Sequence, residues 1–364
     1  MRKPLEGAKR ISGPYPYYGA SGIVDYVDGY LFDEELVLLS EDGANITDRN
    51  YPVCFLASGK YWVNNHAHVL KTKDGNENNF ICNSLERKDY KQYNSGMAMP
   101  KLNQEVCRGI PISCPSFDEQ KKIGDYFSNL DHLITLHQRK CDELKKVKKF
   151  MLQKMFPKKG EKNPEIRFDG FTNDWEQRKL GEVCSEIGDG LHSAPKYNDN
   201  GEVFFINGNN LVDGHIVIDP LKTRRVSKET FEKNNKHLDN NTLLLSINGT
   251  IGNLAYYQGE QVMLGKSIAY LKVNGIDHFF LYTSLQTAEI LNSFMISLTG
   301  TTIKNLGLEA IKNTIIAVPK LEEQHKIGVY FSALDHLITL HQRKSEELKN
   351  VKKYMLQNMF AKGE

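Results

Sequence analysis

Apolar positions recur along this chain at two different periods, and the change of period divides it. Over 118–156 they recur three and four residues apart. Counted in sevens, Ile123, Leu130, His137, Leu144 and Met151 form one row, Tyr126, Leu133 and Val147 a second, and Phe127, Ile134, Cys141 and Met155 a third. These rows lie side by side on a helix, so the pattern predicts one long helix with an apolar stripe. The same 39 positions return at 322–360 with 30 identities, and His-Leu-Ile-Thr-Leu-His-Gln-Arg-Lys at 132–140 returns unchanged at 336–344. A striped helix needs a partner, and its own copy is at hand. The expected packing is a coiled coil of Ile123, Leu130, His137, Leu144 and Met151 with Ile327, Leu334, His341, Leu348 and Met355. At 1.5 Å per residue each rod is about 58 Å long.

Elsewhere the apolar runs are short and broken by Gly, Asn, Asp and Pro. Gly22-Ile-Val-Asp-Tyr-Val, Leu36-Val-Leu-Leu-Ser and Pro52-Val-Cys-Phe-Leu in the first part, and Val203-Phe-Phe-Ile, Thr242-Leu-Leu-Leu-Ser-Ile and Ser267-Ile-Ala-Tyr-Leu-Lys-Val in the second, predict strands. The fold class is α+β with a pseudo-twofold internal repeat: mostly β globular units at 1–117 and 175–321, each followed by a long helix at 118–157 and 322–364. A polar, Pro- and Gly-punctuated linker at 158–174 separates the two copies. The helices are near-identical, whereas the globular units share only scattered matches such as Leu38-Leu-Ser-Glu-Asp-Gly43 with Leu244-Leu-Ser-Ile-Asn-Gly249. Two similar arms with two different heads suggest a protein that reads two different things at a set distance. The first head is shorter, and nothing near Met1 matches Trp175-Glu-Gln-Arg-Lys-Leu-Gly-Glu-Val, so an opening of roughly 30 residues is expected to be missing from it.

Composition narrows the class. The chain of 364 residues carries a formal net charge of only +2, although 118–160 holds eleven Lys and Arg against six Asp and Glu. There is no apolar leader after Met1 and no run of 18 apolar residues, and the six cysteines form no Cys-x-x-Cys pair. Those features predict a cytoplasmic protein with reduced thiols, no membrane association, and neither a zinc site nor a disulfide framework.

Catalytic signatures are missing. Val262-Met-Leu-Gly-Lys-Ser267 would need Gly at 260 to be a phosphate-binding loop and has Glu260, while Gly188-Asp-Gly-Leu-His-Ser lacks the third Gly of a dinucleotide fingerprint. No Asn-Pro-Pro-aromatic tetrapeptide, Gly-x-Ser-x-Gly or His-Glu-x-x-His occurs. His66 and His68 have no third ligand at a metal-binding spacing, which favours a hydrogen-bonding or DNA-facing role. His137 and His341 fall on the stripe and are expected to be buried and hydrogen-bonded. The chain is therefore expected to have no catalytic residue, no metal and no cofactor of its own.

Loop chemistry points instead to nucleic acid. Lys196, Tyr197, Asn207, Asn209, Asn210, Arg224, Arg225, Asn248, Thr250, Lys266, Ser267, Thr301, Thr302 and Lys304 lie in or beside loops of the second unit. The first unit offers a parallel candidate set in Tyr18, Ser21, Ser40, Asp42, Asn45, Lys60, Asn65, His66 and Lys101. Asn and Arg can bridge base edges, and Lys, Ser, Thr and glycine-exposed amides suit phosphates.

The repeated Glu-Gln-x-x-Ile-Gly-x-x-Phe and Leu-Asp-x-Leu-Ile-x-x-His-Gln-Arg-Lys helix, following two variable heads with Trp175-Glu-Gln-Arg-Lys-Leu-Gly-Glu opening the second, resembles the specificity subunit of type I restriction-modification systems. The resemblance covers nearly the whole chain. It implies two target recognition domains, each reading half of a bipartite double-stranded DNA target, and two antiparallel helices that set the gap and dock two methyltransferase subunits. It further implies S-adenosylmethionine, ATP and Mg on the methyltransferase and restriction partners, with no catalysis in this chain. The alternative is a truncated relative that binds methyltransferase through its helices and reads one half-site or none.

Overall fold

The structure, a computed structural model, describes residues 2–300 and 304–360. Its contacts divide the chain into two compact units, Met1–Arg139 with His341–Glu364, and Lys140–Leu340. Each unit thus combines one globular head with half of each long helix, where the sequence reading had attached one whole helix to each head.

The first head contains β1 (Ser12–Gly19), β2 (Gly22–Val27), β3 (Phe32–Asp33), β4 (Leu36–Ser40), the short α1 (Asn45–Asp48), β5 (Cys54–Ala57), β6 (Lys60–Val63), β7 (Ala67–Leu70), α2 (Asn78–Glu86) and α3 (Gln104–Gly109). One sheet runs β2-β1-β6-β3, with β1 and β6 parallel, and the other runs β5-β4-β7, all antiparallel. All five residues of β4 are buried. Val37 and Leu39 pack with Cys82 and Leu85 of α2, whereas Leu38 packs with Tyr61 and Val63 of the other sheet. A strand covered on both faces reads as a continuous apolar run rather than an alternation, which is why Leu-Val-Leu-Leu stood out in the sequence.

Phe117–Lys154 forms α4, the first long helix. The second head follows with β8 (Glu176–Lys179), β9 (Cys184–Asp189), β10 (Val203–Ile206), β11 (Leu211–Val212), β12 (His215–Ile216), β13 (Arg225–Val226), α5 (Lys228–Asn234), β14 (Thr242–Ser246), β15 (Leu254–Tyr256), β16 (Val262–Leu264), β17 (Ile268–Val273), α6 (His278–Ser284), α7 (Ala288–Ile296), α8 (Leu308–Asn313) and β18 (Ile315–Val318). The second long helix, α9, spans Leu321–Asn358. The sheets repeat those of the first head: β13-β10-β16, again with the β10–β16 pair parallel, and β15-β14-β17-β9. Ser40 and Ser246 close equivalent strands, so β7 matches β17. Among the described residues of the first head nothing corresponds to β9 beside β17 or to β8 beside β18, nor to the small β11–β12 hairpin.

Within the first unit the helix halves pack antiparallel. Phe127 stacks on Phe360 at 5.7 Å, Asp131 accepts from Lys352 at 2.6 Å, and His137 meets His341 Nδ1 to Nδ1 at 2.9 Å, so one ring donates and the other accepts. Within the second unit the same contacts recur with roles exchanged: Phe331 against Phe156 at 6.1 Å and Lys148 on Asp335 at 2.6 Å. The seam positions follow a strict four-three spacing: Ile123, Phe127, Leu130, Ile134, His137, Cys141, Leu144, Lys148, Met151 and Met155. Lys148 and Lys352 hold the one charged seat, each satisfied by the Asp of the opposite helix. Polar seats of this kind fix register, and the hydrogen-bonded His137–His341 pair is another. The row Tyr126, Leu133 and Val147 is not part of the seam, because two helices bury only two adjacent rows. Leu133 and Val147 are 40% and 44% exposed, as Leu337 and Val351 are at 41% and 38%.

The repeated Glu-Gln-x-x-Ile-Gly-x-x-Phe explains itself as the joint between head and helix. Gln120 is buried, accepts the Glu77 N–H at 3.1 Å and donates to Pro115 O at 2.9 Å. Gln324 does the same with Asp277 N–H at 2.9 Å and Pro319 O at 2.7 Å. Glu77 and Asp277 cap α2 and α6. Gly124 and Gly328 lie directly under those carboxylates, where a Cβ would collide with Glu77 or come within 2.9 Å of Asp277 Oδ1. A mid-helix glycine costs about 1 kcal/mol relative to Ala, and here close approach requires it.

The 158–174 stretch is not a loose linker. Ile166 N–H bonds Lys154 O, and Arg167 makes a bidentate pair of 2.7 and 2.8 Å with Glu323, a carboxylate only 1% exposed. Phe168 meets Tyr330 edge-on, and Trp175 packs between Phe156 and Phe280. The segment's Arg and aromatics carry it down as a strap on the second unit.

Candidate nucleic-acid interface

In the second unit, β10, β14 and β16 end at one side, and the loops that follow them gather there with the approach to α8. Gly265 N–H bonds Ile206 O at 2.9 Å, Leu306 N–H bonds Ile247 O at 2.9 Å, and Asn248 bridges Asn305. Ser267 Oγ accepts the Gly208 N–H at 2.9 Å and donates to Asn207 Oδ1 at 3.2 Å, and Ser246 Oγ meets Thr250 Oγ1 at 3.1 Å. Residues far apart in sequence thus share one surface, with Asn207, Asn209, Thr250, Lys266 and Lys304 exposed on it. Both ends of the Asn210 amide are spent inside the loop, on Asn207 N–H and Val217 O. Thr301 and Thr302 lie outside the described residues.

A second group stands on β13. The Arg224 guanidinium lies 4.5 Å over Tyr197, which packs on Phe205, and Arg225 lies 4.5 Å over Phe204. Stacking holds a guanidinium flat while its N–H edge still points outward to a phosphate or base. Lys196 is exposed beside Tyr197.

The first unit builds the same cluster from Gly19–Ser21, Glu41–Asn45, Asn64–His66 and Pro100–Lys101. Asn64 N–H bonds Tyr18 O at 3.0 Å, Leu102 N–H bonds Glu41 O at 2.7 Å, and Asp42 bridges Lys101. These are the backbone contacts of the second unit in the same places. The side chains differ. His66 Nδ1 lies 2.8 Å from Asp42, and Glu41 sits among Arg2, His68 and Lys101. Burial pushes the Glu41 carboxyl up, but the Arg2 hydrogen bond and charge, with His68 and Lys101, outweigh it and hold it below the usual value. Ser21, Asn65, His66 and Lys101 are exposed and Asp42 partly so.

Other candidates of the first unit serve the framework. Ser40 is buried and donates to Ala20 O and Val53 O, out of reach of a duplex. The Tyr18 ring packs on Phe55 and Tyr61, and burial raises its hydroxyl pKa. Asn45 spends both amide ends on Tyr51. Lys60 lies at the opposite end of β6, 4.8 Å over Tyr30. His66 and His68 do not share a site: His68 is buried with Nε2 2.7 Å from Leu102 O. Among the described residues no cluster of three or more His, Cys, Asp or Glu could hold a metal, and no helix is long and apolar enough to cross a membrane. Residues missed by sequence reasoning include Asn305, Ser246, Glu41 and Arg2. The match of Leu38-Leu-Ser with Leu244-Leu-Ser could have paired Ser246 with Ser40.

The family described as the type I restriction modification DNA specificity domain matches residues 2–146 and again 172–350. The chain belongs to this family and holds two copies of its domain. A protein from Haemophilus influenzae, described provisionally as a type I restriction enzyme specificity subunit, is 28% identical over 349 residues, covering 93% of this chain and 84% of that one. The crystal structure of the type I restriction-modification S subunit from M. genitalium superposes with a TM-score of 0.68 at 14% identity, over 100% of this chain and 93% of that one. A chain from a structural study of assembly and conformational transition in a type I system gives 0.53 at 18%, over 95% and 91%. The fold is that of a type I specificity subunit.

Proposed function

We propose that the chain reads a two-part duplex DNA target, one part through the loop cluster of each unit, and carries methyltransferase subunits on its helices. The observation behind this reading is the pair of equivalent clusters: the same backbone contacts at the ends of equivalent strands, with different side chains on show. Asn207 and Asn209 suit adenine edges in the major groove, and Asp42 suits a cytosine amino group. Lys266, Lys304, Arg224 and Lys101 suit phosphates. The helices add a second repeated surface. Leu133, Leu136, Val351 and Tyr354 are exposed in the first unit, and Leu337, Leu340, Val147 and Phe150, the same repeat positions, in the second. One such apolar set per unit fits two methyltransferase subunits. S-adenosylmethionine, ATP and Mg belong to those partners and to the restriction subunits that join through the complex, in the cytoplasm, and this chain performs no catalysis.

Direct sequencing of every methylated adenine in the host genome tests the reading. It expects one motif of two short parts with a fixed gap, and a single contiguous motif would refute it. Four residues, about one turn, inserted near the middle of α4 should change the gap and leave both half-site sequences intact.

A further inference from the structure

A single apolar side chain in solvent is ordinary on a protein surface. Two in this chain differ in how they are held. Among the described residues Met97 and Leu221 are the most exposed of the large apolar side chains, Leu221 at 96% and Met97 fully so. Each stands on a turn pinned by its own hydrogen bonds. Asp219 Oδ1 accepts the Leu221 N–H at 3.0 Å, Asp219 O accepts the Lys222 and Thr223 N–H groups at 3.1 and 2.8 Å, and Pro220 restricts the backbone between them. Asn94 Oδ1 accepts the N–H groups of Gly96 and Lys101, both at 2.9 Å, while Ser95 donates its N–H and its hydroxyl to Lys101 O at 2.8 and 3.0 Å. That closure requires Gly96, since a Cβ there would collide with Met99 O.

Both turns are stitched to the loop cluster of their own unit. In the second unit Val217 N–H bonds Asn210 O at 2.7 Å before the turn, and Arg224 O accepts the Phe205 N–H at 2.8 Å after it. β10 and β13 run antiparallel with Phe204 opposite Arg225, so the residues before Arg224 lie beside Ile206 and Asn207, at the end where the loops gather. In the first unit Gly43 N–H bonds Pro100 O at 3.0 Å and Asp42 bridges Lys101. Cations flank both tips: Lys222 and Arg224 beside Leu221, and Lys101 at the closure of the Met97 loop. Against a duplex, phosphates take such cations and base edges present donors and acceptors. The apolar group that a base edge offers in the major groove is the thymine 5-methyl.

We infer that Leu221 and Met97 are specificity-determining residues, each packing on the 5-methyl group of a thymine in the half-site its unit reads. The inference rests on the DNA reading proposed above and deepens it, adding an apolar contact to the polar ones of each cluster. It selects thymine over cytosine by a group that no hydrogen bond can read. Turns already closed lose little backbone freedom on binding, so the gain from one methyl contact is not consumed by ordering the loop.

The test uses the full chain with its methyltransferase partner and the duplex target selected from random sequences. Each thymine of the two half-sites, on either strand, is replaced in turn by deoxyuridine, which removes the methyl group alone. In each half-site one replacement should weaken binding about fourfold, the effect of burying one methyl-sized group. Leu221→Ala should weaken binding to the unmodified target by at least that factor and lose the uridine sensitivity only in the half-site that Asn207→Ala relaxes. Met97→Ala should do the same only in the half-site that His66→Ala relaxes. Indifference to uridine throughout a half-site, or sensitivity unchanged in the variant, would overturn the inference and leave the DNA reading intact. So would loss of methyltransferase binding by either variant in the absence of DNA, which would assign the tip to a protein partner. Selection of no two-part target would refute the DNA reading itself, and this inference with it.

Discussion

The loops at the ends of β10, β14 and β16 show amides and hydroxyls, Asn207, Asn209 and Thr250, with Lys266 and Lys304 beside them. The loops at the ends of β1, β4 and β6 show carboxylates tied to cations, Asp42 with His66 and Glu41 among Arg2, His68 and Lys101. Both stand on the same backbone bonds. A frame held by main-chain contacts leaves its loop side chains free to differ, and that freedom is what a reader of two unlike half-sites needs. The joints below carry the opposite lesson: Gln120 and Gln324, Gly124 and Gly328, Phe127 and Phe331 make specific buried contacts, so their identities are held in both copies.

The largest effect is expected where the units differ most. Arg167→Ala leaves a buried Glu323 carboxylate unpaired and should cost the second unit about 3–5 kcal/mol. The equivalent change in the first unit, Glu119→Ala, touches an exposed residue and should stay within about 0.5 kcal/mol. Urea unfolding followed by unit-resolved amide exchange compares them, and equal losses would break the contrast. The joint should show no such difference. Gln120→Ala and Gln324→Ala each leave buried backbone groups unpaired, and each should cost its own unit about 1–3 kcal/mol in the same experiment. A joint that mattered in only one unit would show that the shared motif hides unlike mechanics.

At the clusters, Asn207→Ala and His66→Ala should each relax one half-site only. About 1–3 kcal/mol of base discrimination should go, read as target selection from random duplexes in the presence of the methyltransferase partner. Relaxation of both half-sites by one substitution would merge the two readers. The smallest effect concerns the helix pair. Burial pushes the Asp335 carboxyl above its ordinary 3.8, and Lys148 offsets this only in part. A raised folded pKa means protonation favours the folded state, so this contribution is present below 3.8 and is lost as pH rises through the folded value. Wild type should therefore gain stability relative to Asp335→Asn between pH 7 and pH 4, as read from urea midpoints.

The repeated helix was legible because a period of three and four residues marks an amphipathic face without reference to any partner. The row of Tyr126, Leu133 and Val147 was not separable from the seam in the sequence, because Leu133 and Val147 are as apolar as the seam residues, and only the geometry of two packed helices shows that they face outward. The strap was misread because Pro, Gly and charge describe solvated chain, and nothing local reveals that Arg167 meets a carboxylate 156 positions away. At the clusters, residue types pointed to polar recognition. Composition could not tell Asn207 on the surface from Asn210 spent within its loop, or exposed His66 from buried His68.

The sequence alone determined the duplication, one row of the helix seam, the apolar strand runs at β4 and β14, and the kind of chemistry the loops would carry. These depend on patterns a few residues long, which side-chain periodicity sets directly. Tertiary structure decided which loops meet, which apolar row stays open for a partner, and that none of the described residues of the first unit takes the places of the two strands that close the second. Each of these depends on contacts between distant segments. Whether a polar group is exposed or satisfied, or a strand edge covered or bare, is a property of its neighbours in space.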